Sequence, residues 1–239
     1  MYSMRSIVGE AIILDSRRYK EADIKTLLST DGYGHICAIA PNARKSKHRF
    51  VGGLNILSHI EFSIDGKNEL FILNESTLID DNEDAFKSIN AFLTASVLLE
   101  ISEKLFTLNN PDETAFYKLK FALKHIGDDK DTYLIFNFLR DSLITTGEIP
   151  EFERCAVCQS EVDRKKILFN YYKGGILCRK CAHTDNRGEY ISSNLYDLML
   201  SDELEVVNFD IKVARQGIFL LERYIRFKLN LTFKSFQFI

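Results

Sequence analysis

Apolar and polar positions alternate through the first third of the chain. Ile7–Leu14, Ile24–Thr30, His35–Ala40, Leu54–Ile64 and Leu70–Leu78 each read as a β-strand, rich in β-branched and aromatic residues. Between them, Asp31-Gly32-Tyr33-Gly34 and Asp65-Gly66-Lys67-Asn68 supply the residues that tight reversals need. These short strands, with one longer connection from Pro41 to Gly53, predict a small closed barrel over residues 1–80. An OB-fold is the most economical candidate, and an SH3-like barrel would give a similar pattern.

The period lengthens after Asp80. Phe86, Ile89, Phe92, Leu93, Val97 and Leu98 recur at helical spacing behind Asp81, Glu83 and Asp84. Those carboxylates suit the N-terminal end of a helix dipole better than a metal site. A second helix is expected to start at Asn110-Pro111-Asp112-Glu113, where proline is tolerated at the first helical position, and to stop near Gly127. A third runs from about Asp131 to Thr146, and Gly147-Glu148-Ile149-Pro150 marks a boundary. A last helix, from about Asp210 to Asn230, sets Ile218, Leu221, Tyr224, Ile225 and Leu229 on one side. On another side Lys212, Arg215, Arg223 and Arg226 fall within an arc of about 80° at 100° per residue. Spacing alone favours a solvated face for this stripe over a phosphate-facing one. The chain thus reads as an α+β multidomain protein. Its parts are a barrel (1–80), a helical part (81–150), a cysteine module (151–185) and a C-terminal helical part (186–239).

Composition narrows the class. A chain of 239 residues with 46% hydrophobic content has ample material for cores, which excludes a largely disordered protein. No apolar run approaches the roughly 20 residues of a membrane helix. Ile7–Leu14 contains Glu10 and lacks a small-residue cleavage site, so a cytoplasmic protein is expected. The net charge of −3 is unevenly spread: 10 basic and 10 acidic side chains in residues 1–80, 7 and 12 in 81–150, and 14 and 12 in 151–239. No segment is basic enough for bulk charge to announce nucleic-acid binding.

One local cluster changes that picture. Arg44-Lys45-Ser46-Lys47-His48-Arg49 packs four permanent cations into six residues, with Phe50 next, and Tyr19 sits among Arg17, Arg18 and Lys20. Cations interleaved with aromatics suit sequence-independent single-strand binding. A loop kept soluble by charge is the plainer alternative.

Cys155, Cys158, Cys178 and Cys181 form a C-x2-C-x19-C-x2-C pattern. Each C-x2-C turn can aim two thiolates at one point, and two turns joined by a hairpin can close the tetrahedral S4 site that structural Zn2+ prefers. Ile167–Tyr172 reads as the strand and Lys173-Gly174-Gly175 as the turn of that hairpin, giving a small zinc ribbon or knuckle. A redox pair and a disulfide framework are the competing readings, less favoured because redox chemistry needs only one C-x2-C. Four sulfur ligands leave no open position for water, so the pattern points to a staple and away from zinc catalysis. His183 is near enough to substitute as a ligand, but the cysteines already suffice. Cys37, in the apolar run Ile36–Ile39, is expected to be a buried strand thiol. The templates G-x4-G-K-[ST], H-E-x-x-H, G-x-S-x-G and G-x-G-x-x-G are missing, and no enzyme and no small-molecule substrate are expected.

Taken in order, the motifs resemble the bacterial DNA repair and recombination mediator family RecO across nearly the whole chain. The residues that carry the resemblance are Arg17-x-Tyr19-x-Glu21-x-Asp23, Thr30, Gly34, the basic run ending Arg49-Phe50, and Gly147-x-x-Pro150 leading into Cys155-x-x-Cys158. They continue with Gly174-Gly175-x-Leu177-Cys178-x-x-Cys181, Arg223-Tyr224-Ile225 and Lys234-Ser235-Phe236. The chain departs from the family with Pro41-Asn42 where glycine usually precedes the basic run, His48 where serine is frequent, and Gln159 where glycine commonly follows the second cysteine. The resemblance implies an N-terminal OB-fold, a helical domain and one structural Zn2+. It also implies binding of single- and double-stranded DNA, annealing of complementary strands, and loading of RecA with RecR as partner. A further implied partner is the C-terminal tail of the single-stranded DNA-binding protein. On this basis Arg44, Lys45, Lys47 and Arg49, assisted by Arg17, Arg18 and Lys20, are the candidate phosphate contacts, with Lys212, Arg215, Arg223 and Arg226 secondary. The alternative is a zinc-ribbon adaptor acting mainly through protein–protein contacts.

Overall fold

Strand alternation buries Leu28, Ile36, Ile60, Ile64 and Leu73 almost completely, and these side chains fill the inside of a barrel. The computed structural model describes residues 5–52, 54–67, 70–108, 113–127, 130–201 and 208–239. Packing divides the chain into two compact units, Met1–Gly127 and Asp128–Ile239.

In the first unit the strands are β1 (Arg5–Tyr19), β2 (Asp23–Thr30), β3 (Gly34–Ala40), β4 (Phe50–Val51), β5 (His59–Lys67) and β6 (Leu70–Asp80). The sheet order β3-β2-β1-β5-β6 closes on itself through a parallel β3–β6 pairing, with the two-residue β4 added to β6. This closed five-strand arrangement is OB-like. The long β1 pairs β5 with its first half and β2 with its second, and a register shift between Ile13 and Asp15 marks the bend between them.

Leu54–Ser58, expected to open the fourth strand, is not strand. Leu54 and Leu57 are buried, and Leu57 takes the left-handed region (φ 76°) as its amide donates to the Ile13 carbonyl. The apolar run was therefore a plug against the core. The turn residue Asn68 lies outside the described residues.

Ser88 caps α1 (Ile89–Leu105), its hydroxyl accepting from the Ala91 amide, so the helix begins later than the sequence suggested. Glu83 and Asp84 sit instead in a 3-10 turn, Glu83–Phe86. Val97 and Leu98 are buried as expected, whereas Phe86, Ile89 and Phe92 are exposed. α2 (Glu113–Lys124) packs against β1, β2 and β3 through one face that includes Phe116, Leu119 and Leu123. The expected start of this helix, Asn110 to Asp112, lies outside the described residues. A polar clamp ties α2 to the barrel: Lys120 Nζ and the ring of buried His59 both reach the Glu10 carboxylate, at 2.9 Å and 2.8 Å.

The second unit begins with α3 (Asp131–Thr145), which ends at Gly147 in the left-handed region (φ 72°). A three-stranded sheet in the order β8-β7-β9 follows, built from β7 (Ile167–Asn170), β8 (Gly175–Leu177) and β9 (Glu189–Ile191). α4 (Arg179–Thr184), α5 (Ser193–Leu200) and α6 (Ile211–Lys228) complete it, with α3 and α5 packing on α6. Gly217 allows the close approach of α3, since a Cβ there would lie 2.6 Å from the Phe136 ring. Residues 81–150 thus serve both units, α1 and α2 the first and α3 the second. Among the described residues, no helix is long and apolar enough to cross a membrane.

Candidate metal centre and nucleic-acid surface

The two cysteine turns are built differently. In the first, the Gln159 amide donates to the Cys155 carbonyl and the Cys155 amide to the Ser160 carbonyl, both at 2.9 Å, folding Cys158 back over Cys155. Gln159 adopts φ 59°, the left-handed backbone that favours glycine. In the second, Cys178 stands at the N-cap of α4 and Cys181 one turn inside it. β8 delivers Cys178, and the Ala156 amide donates to the Ile176 carbonyl, locking the two turns together.

All four sulfurs lie within 4.8 Å of one another, and Cys158 Sγ is 3.6 Å from Cys178 Sγ. Tetrahedral zinc with Zn–S near 2.3 Å requires S···S edges of about 3.8 Å, so the donor set fits such an ion. No disulfide joins them. The Ser160 hydroxyl, then the Cys181 amide, pull the Cys178 thiol down to about 6, and Ser160 also lowers Cys158. Cys181 is pushed up to about 12, first by Cys158, then by burial. A cation held among the sulfurs would require thiolate ligands, so its binding would release the remaining thiol protons. Ser160, two residues past Cys158, was not singled out from sequence; its hydroxyl is 3.1 Å from Cys158 Sγ.

The basic loop is ordered against the β1–β2 hairpin. The Arg44 amide donates to the Ala22 carbonyl at 3.0 Å, the Arg44 guanidinium to the Glu21 carbonyl at 2.7 Å, and the Asn42 amide to the Asp23 carboxylate at 2.9 Å. Asn42 holds φ 55°, which asparagine tolerates. Lys45 pairs with Glu21 at 3.4 Å, and the Arg49 guanidinium donates to the Pro41 carbonyl. Arg17, Arg18 and Lys20 stand on the same hairpin, Arg17 paired with Asp15 at 2.7 Å and Lys20 lying 5.4 Å from the Tyr19 ring centre. All seven cations are exposed. Lys47 and Arg18 have no ion-pair partner among the described residues.

One expectation fails here. Phe50 is buried in the barrel core, with Arg49 against its ring, and cannot stack on a base, whereas Tyr19 remains exposed. Pairing of β4 with β6 draws Phe50 inward. Cys37 is likewise only half-buried, because its strand position faces outward between inward-facing Ile36 and Ala38.

Comparison with known proteins bears on this arrangement. The model of the Recombination protein O N-terminal domain matches residues 4–82, and that of the C-terminal domain matches residues 87–236. The chain belongs to the Recombination protein O family. It is 27% identical to the DNA repair protein RecO of Syntrophus aciditrophicus, over 95% of this chain and 93% of the relative. Against the DNA repair protein RecO of Caldanaerobacter subterraneus it is 23% identical, with 98% of each chain covered. Against that of Thermodesulfovibrio yellowstonii it is 30% identical over 72% of this chain and 69% of the relative.

The family's C-terminal domain contains the remaining sequence candidates. Lys212, Arg215, Arg223 and Arg226 are all exposed on α6, opposite buried Ile218, Leu221, Tyr224 and Ile225. Two of them are tethered: Arg223 to Glu189 at 2.7 Å, and Arg226 to the buried Glu222. Lys25, directly across from Arg17 in the β1–β2 pairing and exposed, joins the hairpin's cations and was missed from sequence because it stands alone within a strand.

Proposed function

We propose that this DNA repair protein is a non-catalytic recombination mediator that binds single- and double-stranded DNA, anneals complementary strands and, with RecR, helps load RecA. The observation that carries the reading is the docking of the 41–49 loop on the β1–β2 hairpin, which puts Arg44, Lys45, Lys47 and Arg49 on one ordered surface with the hairpin that holds Arg17, Arg18 and Lys20. Loop backbone bonded to the hairpin holds the cations in place, and phosphates neutralised there release counterions. Annealing needs no bond made or broken; it needs the repulsion between two strands screened while bases find their partners. Cys155, Cys158, Cys178 and Cys181 would hold one structural Zn2+. When bound, the ion supplies a cross-link between the two halves of a segment with too little core to fold alone. The partners implied are DNA, RecR and the C-terminal tail of the single-stranded DNA-binding protein, within the cytoplasm and at the nucleoid.

The test is annealing of complementary oligonucleotides, bare and coated with their binding protein, across a salt series. Annealing that weakens with salt and fails when the four loop cations become alanine is expected. A salt-insensitive rate, or an unchanged one in the variant, would refute the reading. A second reading, an adaptor acting through protein contacts, is favoured by one observation: Phe86, Ile89 and Phe92 are exposed together around the start of α1, with the two phenyl rings 6.1 Å apart. Robust partner binding without DNA affinity at low salt would support it.

A further inference from the structure

The C-terminal unit carries aromatic rings at its surface that no core requires. Tyr172, in the turn after β7, and Phe227, near the end of α6, are 54% and 45% exposed. Their rings meet edge to face, 4.4 Å between centroids. Arg187 lies against the Tyr172 ring at 4.5 Å and is forked onto Asp185 by two hydrogen bonds of 2.9 Å. Two turns earlier on the same row of α6 stands exposed Phe219, with Arg223 between the two phenylalanines. Eight residues of helix separate these rings by about 12 Å along the axis.

Charge is arranged around them with a consistent polarity. Arg187, Arg223 and Arg226 keep half or more of their side-chain surface in solvent, at 62%, 50% and 59%. Their carboxylate partners are withdrawn beneath: Asp185, Glu189 and Glu222 at 17%, 28% and 6%. The Arg187 guanidinium holds the Asp185 carboxyl down at about 2, so the fork persists through the neutral range. Lys173 and Lys228 are also exposed and have no ion-pair partner among the described residues. A surface of pinned guanidinium groups and open rings offers phosphate contacts and stacking planes together, the combination that single strands use. A duplex keeps its base faces internal and could use only the charges.

We infer that Tyr172, Phe227 and Arg187, with Phe219 and Arg223 beside them, form a second nucleic-acid site that stacks the bases of a single strand, separate from the loop surface of the barrel. It rests on the DNA-binding reading above. It gives each compact unit its own strand-holding surface.

The experiment uses the zinc-loaded full chain, oligo(dT), an abasic oligonucleotide of equal length and a matched duplex. Tyr172→Leu with Phe227→Leu keeps apolar contact and removes the rings. It is expected to weaken oligo(dT) binding about tenfold for one lost stacked base. Abasic and duplex binding should stay within about twofold. In the loop-alanine background the same two substitutions should lower the residual oligo(dT) binding by about a further tenfold. Photocrosslinking of halogenated deoxyuridine oligonucleotides to the unmutated protein gives a readout that does not depend on folding of the variant, and adducts on the Tyr172 or Phe227 peptides are expected. Unchanged oligo(dT) affinity, equal losses on abasic and duplex DNA, or adducts confined to the barrel would overturn the site while leaving the loop reading intact. A wild-type protein with no DNA affinity would overturn both.

Discussion

Replacing Arg44, Lys45, Lys47 and Arg49 by alanine should flatten the salt dependence of DNA binding by a calculable amount. Each phosphate neutralised on a single strand contributes about 0.7 to the slope of log K against log salt, so four contribute about 2.8. Between 50 and 200 mM salt, about 0.6 of a decade, the unmodified loop should then lose roughly 50-fold of its affinity that the variant does not lose. The structure says how the total divides. Lys47 has no ion-pair partner among the described residues, and Lys47→Ala should remove about 0.7 from the slope and nothing else. Lys45 already faces Glu21 at 3.4 Å, an exposed pair worth little in water, so its share should be smaller at low salt. Arg44 donates to the Glu21 carbonyl, so Arg44→Ala should cost more affinity than its slope explains, by loosening the loop from the hairpin. Arg44→Lys separates the two effects: charge and slope stay, while the guanidinium hydrogen bond to the Glu21 carbonyl is lost. Fluorescence anisotropy of labelled oligonucleotides over a salt titration measures all of these. A quadruple variant with a slope within about 0.7 of the parent would refute the assignment of the phosphate contacts to this loop.

Other outcomes follow from the same geometry. Cys178→Ser should abolish metal retention and expose the chain near Arg164–Lys166 and Arg179–Lys180 to trypsin; the parent loaded with cobalt should show a tetrathiolate spectrum, and an open, water-bound one would contradict the S4 site. Gly175→Ala should destabilise the second unit by about 2 kcal/mol or more in denaturant melts, since its Cβ would lie 2.4 Å from the Glu151 carbonyl oxygen, which is backbone and cannot step aside. Gln159→Gly should be neutral or stabilising by up to about 1 kcal/mol, by relieving φ 59°. In the first unit, burial lowers the His59 pKa below 6.5, so the unfolded chain takes its proton first and stability should fall as pH drops through about 6.5. Glu10 is held below its usual range mainly by Lys120, and that contribution should persist above about 4.5 and vanish as pH falls through its lowered value. Lys120→Met should remove most of the acid-side Glu10 effect in thermal melts at a series of pH values; an unchanged profile would discount the clamp.

The barrel was legible in the chain because inward positions such as Ile36 and Ala38, or Ile60, Phe62 and Ile64, alternate strictly with outward ones. Leu54–Ser58 misled for the same reason, since an apolar plug and a strand both want Leu and Ile, and only the left-handed Leu57 separates them. The gathering of the four cysteines was legible almost in full, because two C-x2-C turns leave few geometries open. Ser160 escaped notice because its role depends on a hydroxyl orientation that spacing does not encode. The loop's charge could be read, but not its order, which comes from carbonyls of Glu21 and Ala22 that any residues would have supplied. Phe50 was placed on the wrong side because its partner, β4–β6, is two residues long and leaves no periodic trace.

On the mediator reading the protein would also have to release what it holds, and the pairing of its cations fits that need. Arg17 with Asp15, Lys45 with Glu21, Arg223 with Glu189 and Arg226 with Glu222 each hold an internal carboxylate that a bound phosphate would have to displace. Exchanging one exposed ion pair for another gains little beyond counterion release, so affinity per cation is modest and falls steeply with salt. The same carboxylates keep the net charge at −3, which limits non-specific capture by bulk attraction. On that reading, strand contact would depend on many weak, exchangeable sites on the barrel loop and on the second unit. On the mediator reading, removing the tethering acids, for example Glu21→Gln with Glu189→Gln, should tighten DNA binding and slow strand turnover in the annealing assay. A faster turnover in that variant would show that the carboxylates organise the cations rather than compete for them.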